Sequence, residues 1–204
     1  IEQWMRVLAI QRAVGNWDSY GWDRGKNDYF FKPATGLFQH MPWDIDYSLG
    51  LGRPADEPLF ASNDPRVLAM FNTPAIVRAY WRSIKELANG ILSSENLDPF
   101  IDSRVDALVA NGVTVDMDAV AMVKNYIWER QGYLISELNR VDVPFTITSG
   151  AAFSSSSNLA IITGTAPVNI RSILLNGVVY PVTWTTATNF SLRVVLYPGL
   201  NQYL

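Results

Sequence analysis

The sequence has no cysteine and a single histidine, His40. Without thiols there is no disulfide and no thiolate metal site, and one imidazole cannot build a histidine-based zinc centre or a Cys–His nucleophile pair. Neither lack fixes a compartment, since exported and intracellular chains alike can do without cysteine. No apolar run approaches the roughly 20 residues that a bilayer-spanning helix needs. Positive charge is outnumbered, with Lys+Arg 16 against Asp+Glu 19 for a net charge of −3. That balance argues against a general electrostatic grip on nucleic acid or on an anionic membrane. An initiator Met is missing too, because "IEQWMRVLAIQRAVG" reads as the middle of a helix. The expectation is therefore a fragment, with a signal peptide or an N-terminal lobe upstream.

A further lack divides the chain. No Asp or Glu occurs beyond Asp142, where the charged side chains are Arg171 and Arg193 and the one tryptophan is Trp184. So abrupt a shift into Ser, Thr, Val and Asn marks a domain boundary, giving an expected 1–141 and 142–204.

The first region reads as mainly helical. Asp64-Pro65 and Thr73-Pro74 each offer an N-cap followed by proline at the first helical position. In the second of these helices Ile76, Tyr80, Ile84 and Leu87 form a core face, with Arg78, Arg82, Lys85 and Glu86 elsewhere and Gly90 as the stop. Asp98-Pro99 reads as a third start, ending at Gly112. A fourth helix over "VDMDAVAMVKNYIWERQGYLISEL" turns Val120, Val123, Ile127, Leu134 and Leu138 inward. Before them, "DYFFKPATGLFQHM" is two aromatic runs joined by Pro-Ala-Thr-Gly, a short strand pair. The second region alternates in short β-branched stretches, and Asn176-Gly177 is a hairpin signal. It reads as an all-β sandwich cut off before its last strands. The run Ser154 to Ser157 is most simply a solvated turn, with a modification site as the alternative.

Chemistry points to "PWDIDYSLG". On an extended segment Asp44 and Asp46 share one face, with Trp43 and Ile45 packed on the other and the backbone largely buried. Convergent carboxylates suit a hard cation such as Mg²⁺ or Mn²⁺, although such a pair is more often a turn or a helix cap. Upstream, Asp18 and Asp23 precede Asn27, which opens the strand pair. An Asp, then an Asn, then a hairpin and a later Asp is the order of parts in kinase-type phosphoryl transfer, and local turn bonding is the competing account. His40 reads as a packed or hydrogen-bonded residue. The aromatic content suggests carbohydrate binding only weakly, because most of these rings fall at helical core spacing. Two neighbouring carboxylates on one side of a strand do not suit a glycosidase, which needs them on opposite sides of its substrate.

"NWDSYGWDRGKNDYFFKPATGLFQHMPWDIDYSLG" resembles the signature region of the spore coat protein H (CotH) kinase-like family, and the resemblance covers roughly residues 1 to 141. Its elements are Asn16 to Asp18, Asn27 with Tyr29 to Phe31, and Pro42 to Asp46. The tail resembles the small immunoglobulin-like modules that follow such domains in exported bacterial proteins. The resemblance implies an α+β chain: the helical C-lobe of an atypical protein kinase followed by an incomplete β-sandwich. It implies transfer of phosphate from ATP to protein serine. Asp18 or Asp23 would be the catalytic Asp, while Asn27, Asp44 and Asp46 would bind Mg²⁺ or Mn²⁺ and the nucleotide. A fragment without the phosphate-covering lobe would be weakly active or inactive alone. The implied setting is a secreted or cell-surface bacterial protein. A non-catalytic adhesion scaffold with a kinase-like domain is the alternative.

Overall fold

Asp64 and Thr73 stand where the caps are expected, and each starts a helix with proline at the first position. In the first, the Asp64 carboxylate accepts the Arg66 N–H at 2.8 Å, satisfying one of the donors that a helix start leaves unpaired. The computed structural model describes residues 1–22 and 26–204. Among these, helices α1 (Glu2–Ala13), α2 (Pro65–Phe71), α3 (Pro74–Ala88), α4 (Ser94–Ala110) and α5 (Met117–Val141) combine with short antiparallel sheets in an α+β arrangement.

The helical core forms where α1 lies on α3 and α3 on α5. Met5, Leu8 and Ala9 of α1 meet Tyr80 and Ile84 of α3 and Leu134 and Leu138 of α5, all buried. Removing a leucine-sized side chain from such a site costs about 2–5 kcal/mol. The expected faces of α3 and α5 are there, with Val120 and Val123 only half-buried.

One expectation fails. Helix α4 begins at Ser94, with Pro99 inside it rather than at its first position. The buried Leu92 anchors the chain just before Ser93, and the Leu97 N–H closes the first turn on the Ser93 carbonyl at 2.9 Å. Proline at the sixth helical position then forfeits a single backbone bond. Arg78 and Arg82, off the apolar face of α3, are buried as well. Periodicity located the apolar stripe of α3 but could not show that its other side is covered as well.

What covers part of it is the second region. The Arg78 guanidinium donates to four backbone carbonyls, those of Ala187 (2.6 Å), Pro167 (2.5 Å), Ile170 (2.6 Å) and Ala166 (3.3 Å). It also stacks 3.5 Å over the ring of Trp184. Burial lowers its pKa to about 10, with the Arg82 charge adding to the effect. Val168, fully buried, joins the helical core, and its N–H is accepted by Asp142 at 2.9 Å. Lys85 pairs with Asp142 at 2.5 Å, and Arg171 reaches Glu86 at 3.3 Å.

Strands β1 (Asp28–Phe31) and β2 (Gln39–Pro42) form the expected hairpin. The connection is longer than the four residues expected, because Leu37 and Phe38 belong to the loop and are exposed. In the second region β3 (Thr146–Ile147), β4 (Leu159–Thr165), β8 (Asn189–Val195) and β7 (Thr183–Trp184) make one antiparallel sheet. Strands β5 (Ile173–Leu175) and β6 (Val178–Tyr180) make a second. Asn176 and Gly177 turn β5 into β6 with φ of 53° and 79°, the left-handed pair of a two-residue hairpin. Both sheets contribute to one apolar cluster, with Ile173, Phe190, Leu192 and Val194 buried. No helix among the described residues is long and apolar enough to cross a membrane.

Candidate active site

Everything expected of the site hangs on the loop after α1 and on the hairpin it feeds. Buried groups hold that loop. The Asn16 N–H donates to the Gln11 carbonyl at 2.9 Å, and the Ser19 hydroxyl donates to the Asn16 carbonyl at 2.7 Å. Arg12, fully buried, donates to the Gly21 carbonyl and lies 3.7 Å over the Trp22 ring. Desolvation brings the Arg12 pKa down to about 10. Behind it, Arg130 donates to the Arg12, Ala55 and Glu57 carbonyls, each at 2.7 Å, and desolvation lowers its pKa as well. These arginines fix irregular backbone by saturating carbonyls that would otherwise be buried without partners.

On this frame Asp18 is almost fully buried, at 5% exposure. Its Oδ2 accepts the Asn27 amide at 2.9 Å and ion-pairs with Lys26 at 2.6 Å. The same Asn27 amide donates to the Asp18 carbonyl at 2.9 Å, so two of the expected site residues are in direct contact. Asn27 has φ of 60°, in the left-handed region that asparagine enters more readily than most residues. That backbone turn aims its amide back at Asp18 just before β1 begins. Its Oδ1 takes no part in these bonds.

The hairpin then returns the chain to the same place. Asp28 pairs with Pro42, and one step further the Trp43 N–H donates to the Asn27 carbonyl at 2.7 Å. Asp44 follows directly. The segment is tied again where the Leu49 N–H meets the Val14 carbonyl at 2.7 Å. Asp44 and Asp46 therefore sit on a span anchored at both ends beside the Asp18–Asn27 pair.

Their setting corrects the sequence reading. Asp44 has φ of 52° rather than an extended backbone, and both carboxylates are exposed. Trp43 and Ile45 do not pack behind them but are 61% and 59% exposed. Water compensates their charge, so no buried cation is required. Asp23 lies outside the described residues. No group of three His, Cys, Asp or Glu side chains converges as a ready metal site among the described residues.

The buried carboxylates are others. Beside Asp18 the structure holds Asp28, with a side chain only 2% exposed. It accepts the Tyr20 N–H at 2.6 Å, the Gln11 amide at 2.9 Å and His40 Nε2. His40 is packed as expected, but as this carboxylate's partner. Sequence reading passed over Asp28 and Lys26. The available signal was the hairpin register: with Phe30 opposite His40, residues 28, 30 and 40 lie on one face, which puts Asp28 diagonal to the single histidine.

A helical domain thus carries an Asp–Asn loop contact and feeds a hairpin that returns the chain beside it, the order of parts expected of a kinase-related protein. The chain belongs to the CotH kinase family: the model described as CotH kinase protein matches residues 1–140. Searches of curated proteins and of solved structures find no significant match.

Proposed function

We propose that the chain carries the catalytic C-lobe of a CotH-type atypical protein kinase over residues 1–141, followed by an immunoglobulin-like module over 142–204. The reaction is transfer of the ATP γ-phosphoryl group to a serine hydroxyl of a protein acceptor, in an exported bacterial protein. The observation that carries this reading is the Asp18–Asn27 contact. It joins residues nine positions apart at the place where the Trp43–Asn27 bond brings Asp44 alongside.

Each residue has a physical task. Asp18 orients the acceptor hydroxyl and takes its proton, with the undescribed Asp23 as the competitor for that role. Asp44, Asp46 and the Asn27 amide oxygen form an all-oxygen donor set, which fits Mg²⁺ or Mn²⁺. An ion held by these residues would supply positive charge against the nucleotide phosphates. Lys26, half-exposed and ion-paired with Asp18, adds a positive charge at the same corner.

The test is phosphate transfer by the full-length protein to a serine-rich acceptor with ATP and Mn²⁺. Asp18→Asn, Asp44→Ala and Asp46→Ala should each lower kcat by about 10²-fold or more. Undiminished transfer in both Asp44→Ala and Asp46→Ala would remove the metal assignment. No transfer by the wild type, together with no stabilisation by Mn²⁺ and ATP, would leave the non-catalytic scaffold reading instead.

A further inference from the structure

Asp28 and His40 take no direct part in the chemistry assigned above, yet they form the most heavily bonded polar cluster near it. The Asp28 carboxylate accepts from three segments at once: Gln11 of α1, the backbone of Tyr20 in the loop, and His40 of β2. Gln3 of α1 holds the His40 backbone on both sides, accepting its N–H at 3.1 Å and donating to its carbonyl at 2.7 Å. The His40 ring stacks on Phe30 with centroids 4.9 Å apart and meets Trp4 at 5.2 Å. The imidazole is thereby aimed, and Nε2 points at Asp28.

The placement of this cluster matters. Tyr20 is two residues after Asp18, and Asp28 is the residue after Asn27. The Tyr20–Asp28 bond therefore closes the loop whose two ends carry the Asp18–Asn27 pair. Residues 18–20 and 27–28 are cross-tied twice, once through the candidate catalytic side chains and once, beneath them, through Asp28. We infer that Asp28, oriented by His40, is a positioning residue that sets the distance between Asp18 and Asn27. This inference rests on the kinase reading for its functional meaning, but its structural content does not.

The experiment uses the full-length protein and the substitutions Asp28→Asn, His40→Gln and His40→Phe. Asp28→Asn keeps the shape but turns an amide N–H₂ toward donors that need acceptors. His40→Phe keeps a ring against Phe30 and Trp4 but removes the donor, whereas His40→Gln supplies a donor again. With Mn²⁺, ATP and a serine-rich acceptor, Asp28→Asn and His40→Phe should lower kcat about 10- to 100-fold per folded molecule. KM for ATP should stay within about twofold and His40→Gln should recover most of the rate, since misplacement of reacting groups costs turnover before it costs binding. A kcat within about twofold of wild type in folded Asp28→Asn overturns the inference, as does an equal loss in His40→Gln and His40→Phe. If the wild type transfers no phosphate, the kinase reading fails and amide exchange decides the positioning claim. Protection at Tyr20 that falls about tenfold or more in Asp28→Asn, with α3 and α5 unchanged, supports the tie. Unchanged protection at Tyr20 overturns it.

Discussion

Replacing Arg78 with methionine would remove the cation from the junction between α3 and the β region while keeping much of its apolar volume. Four carbonyls, those of Ala166, Pro167, Ile170 and Ala187, would lose their donor, and Trp184 would lose the guanidinium above it. Truncating one member of a buried charged network costs about 3–5 kcal/mol, most of it from the groups left unpaired. Burial already pulls the Arg78 pKa down to about 10, and methionine would relieve that desolvation, so the net loss lies near the lower end, about 3 kcal/mol. For a chain of this length each kcal/mol is worth roughly 2–4 °C, which puts the drop in melting temperature at roughly 6–12 °C. Arg78→Lys should fall between the two, because three donors on one nitrogen cannot reach four carbonyls spread around a planar fork. Hydrogen exchange supplies the specific readout. Segment 166–170 should lose protection in Arg78→Met before β4 and β8 do, because it is the docked edge rather than the sheet. A melting temperature within about 2 °C of wild type, with unchanged exchange in 166–170, would refute the clasp as an energetic element.

Three further outcomes are expected. Tyr80 is fully buried, its hydroxyl donates to the Leu59 carbonyl at 2.9 Å, and desolvation raises its pKa. Above pH ~10 an unfolded tyrosine loses its proton while Tyr80 keeps its own, so the folded state binds more protons and stability falls with rising pH by about 1.4 kcal/mol per unit. Denaturant titrations at two alkaline pH values should show that loss reduced by one proton's worth in Tyr80→Phe, and identical slopes would refute it. Gly164→Ala would drive a methyl group into the Thr146 carbonyl and the Phe190 ring, costing about 1–3 kcal/mol and loosening β3 from β4, which exchange at Ile147 would report. Asp116 caps α5 by accepting the Asp118 and Ala119 N–H groups at 3.0 and 3.2 Å, so Asp116→Ala should cost about 1 kcal/mol in thermal unfolding.

Local signals made much of the fold legible. Asp64-Pro65, Thr73-Pro74 and Asn176-Gly177 each act through their own backbone geometry, and each produced the element expected of it. Pro99 misled because the same residue is tolerated deeper in a helix when a buried neighbour, here Leu92, fixes an earlier start. The burial of Arg78 was not legible, because periodicity locates an apolar stripe but not what packs against the other side of the helix. At the candidate site, the motif located Asp18 and Asn27, which do touch. It could not show that Asp44 turns left-handed and leaves its strand neighbours in solvent. Nor could it show which carboxylates are buried, because that follows from Tyr20 and Gln11 converging on Asp28 from distant positions.

The lack of acidic side chains beyond Asp142 bears on how the two regions respond to protons. Acid unfolding works by protonating carboxylates that the native state holds ionised. Past Asp142 there is no side-chain carboxylate to protonate, so the β sheets themselves are indifferent to mild acid. Among the described residues, the ion pairs at this junction end on the carboxylates of Asp142, Glu86 and Glu2. Arg78 is different, because its partners are backbone carbonyls that do not titrate in this range. The β region is therefore moored to the helices by the Arg78 guanidinium on backbone carbonyls and by the buried Val168 side chain, contacts that include no carboxylate.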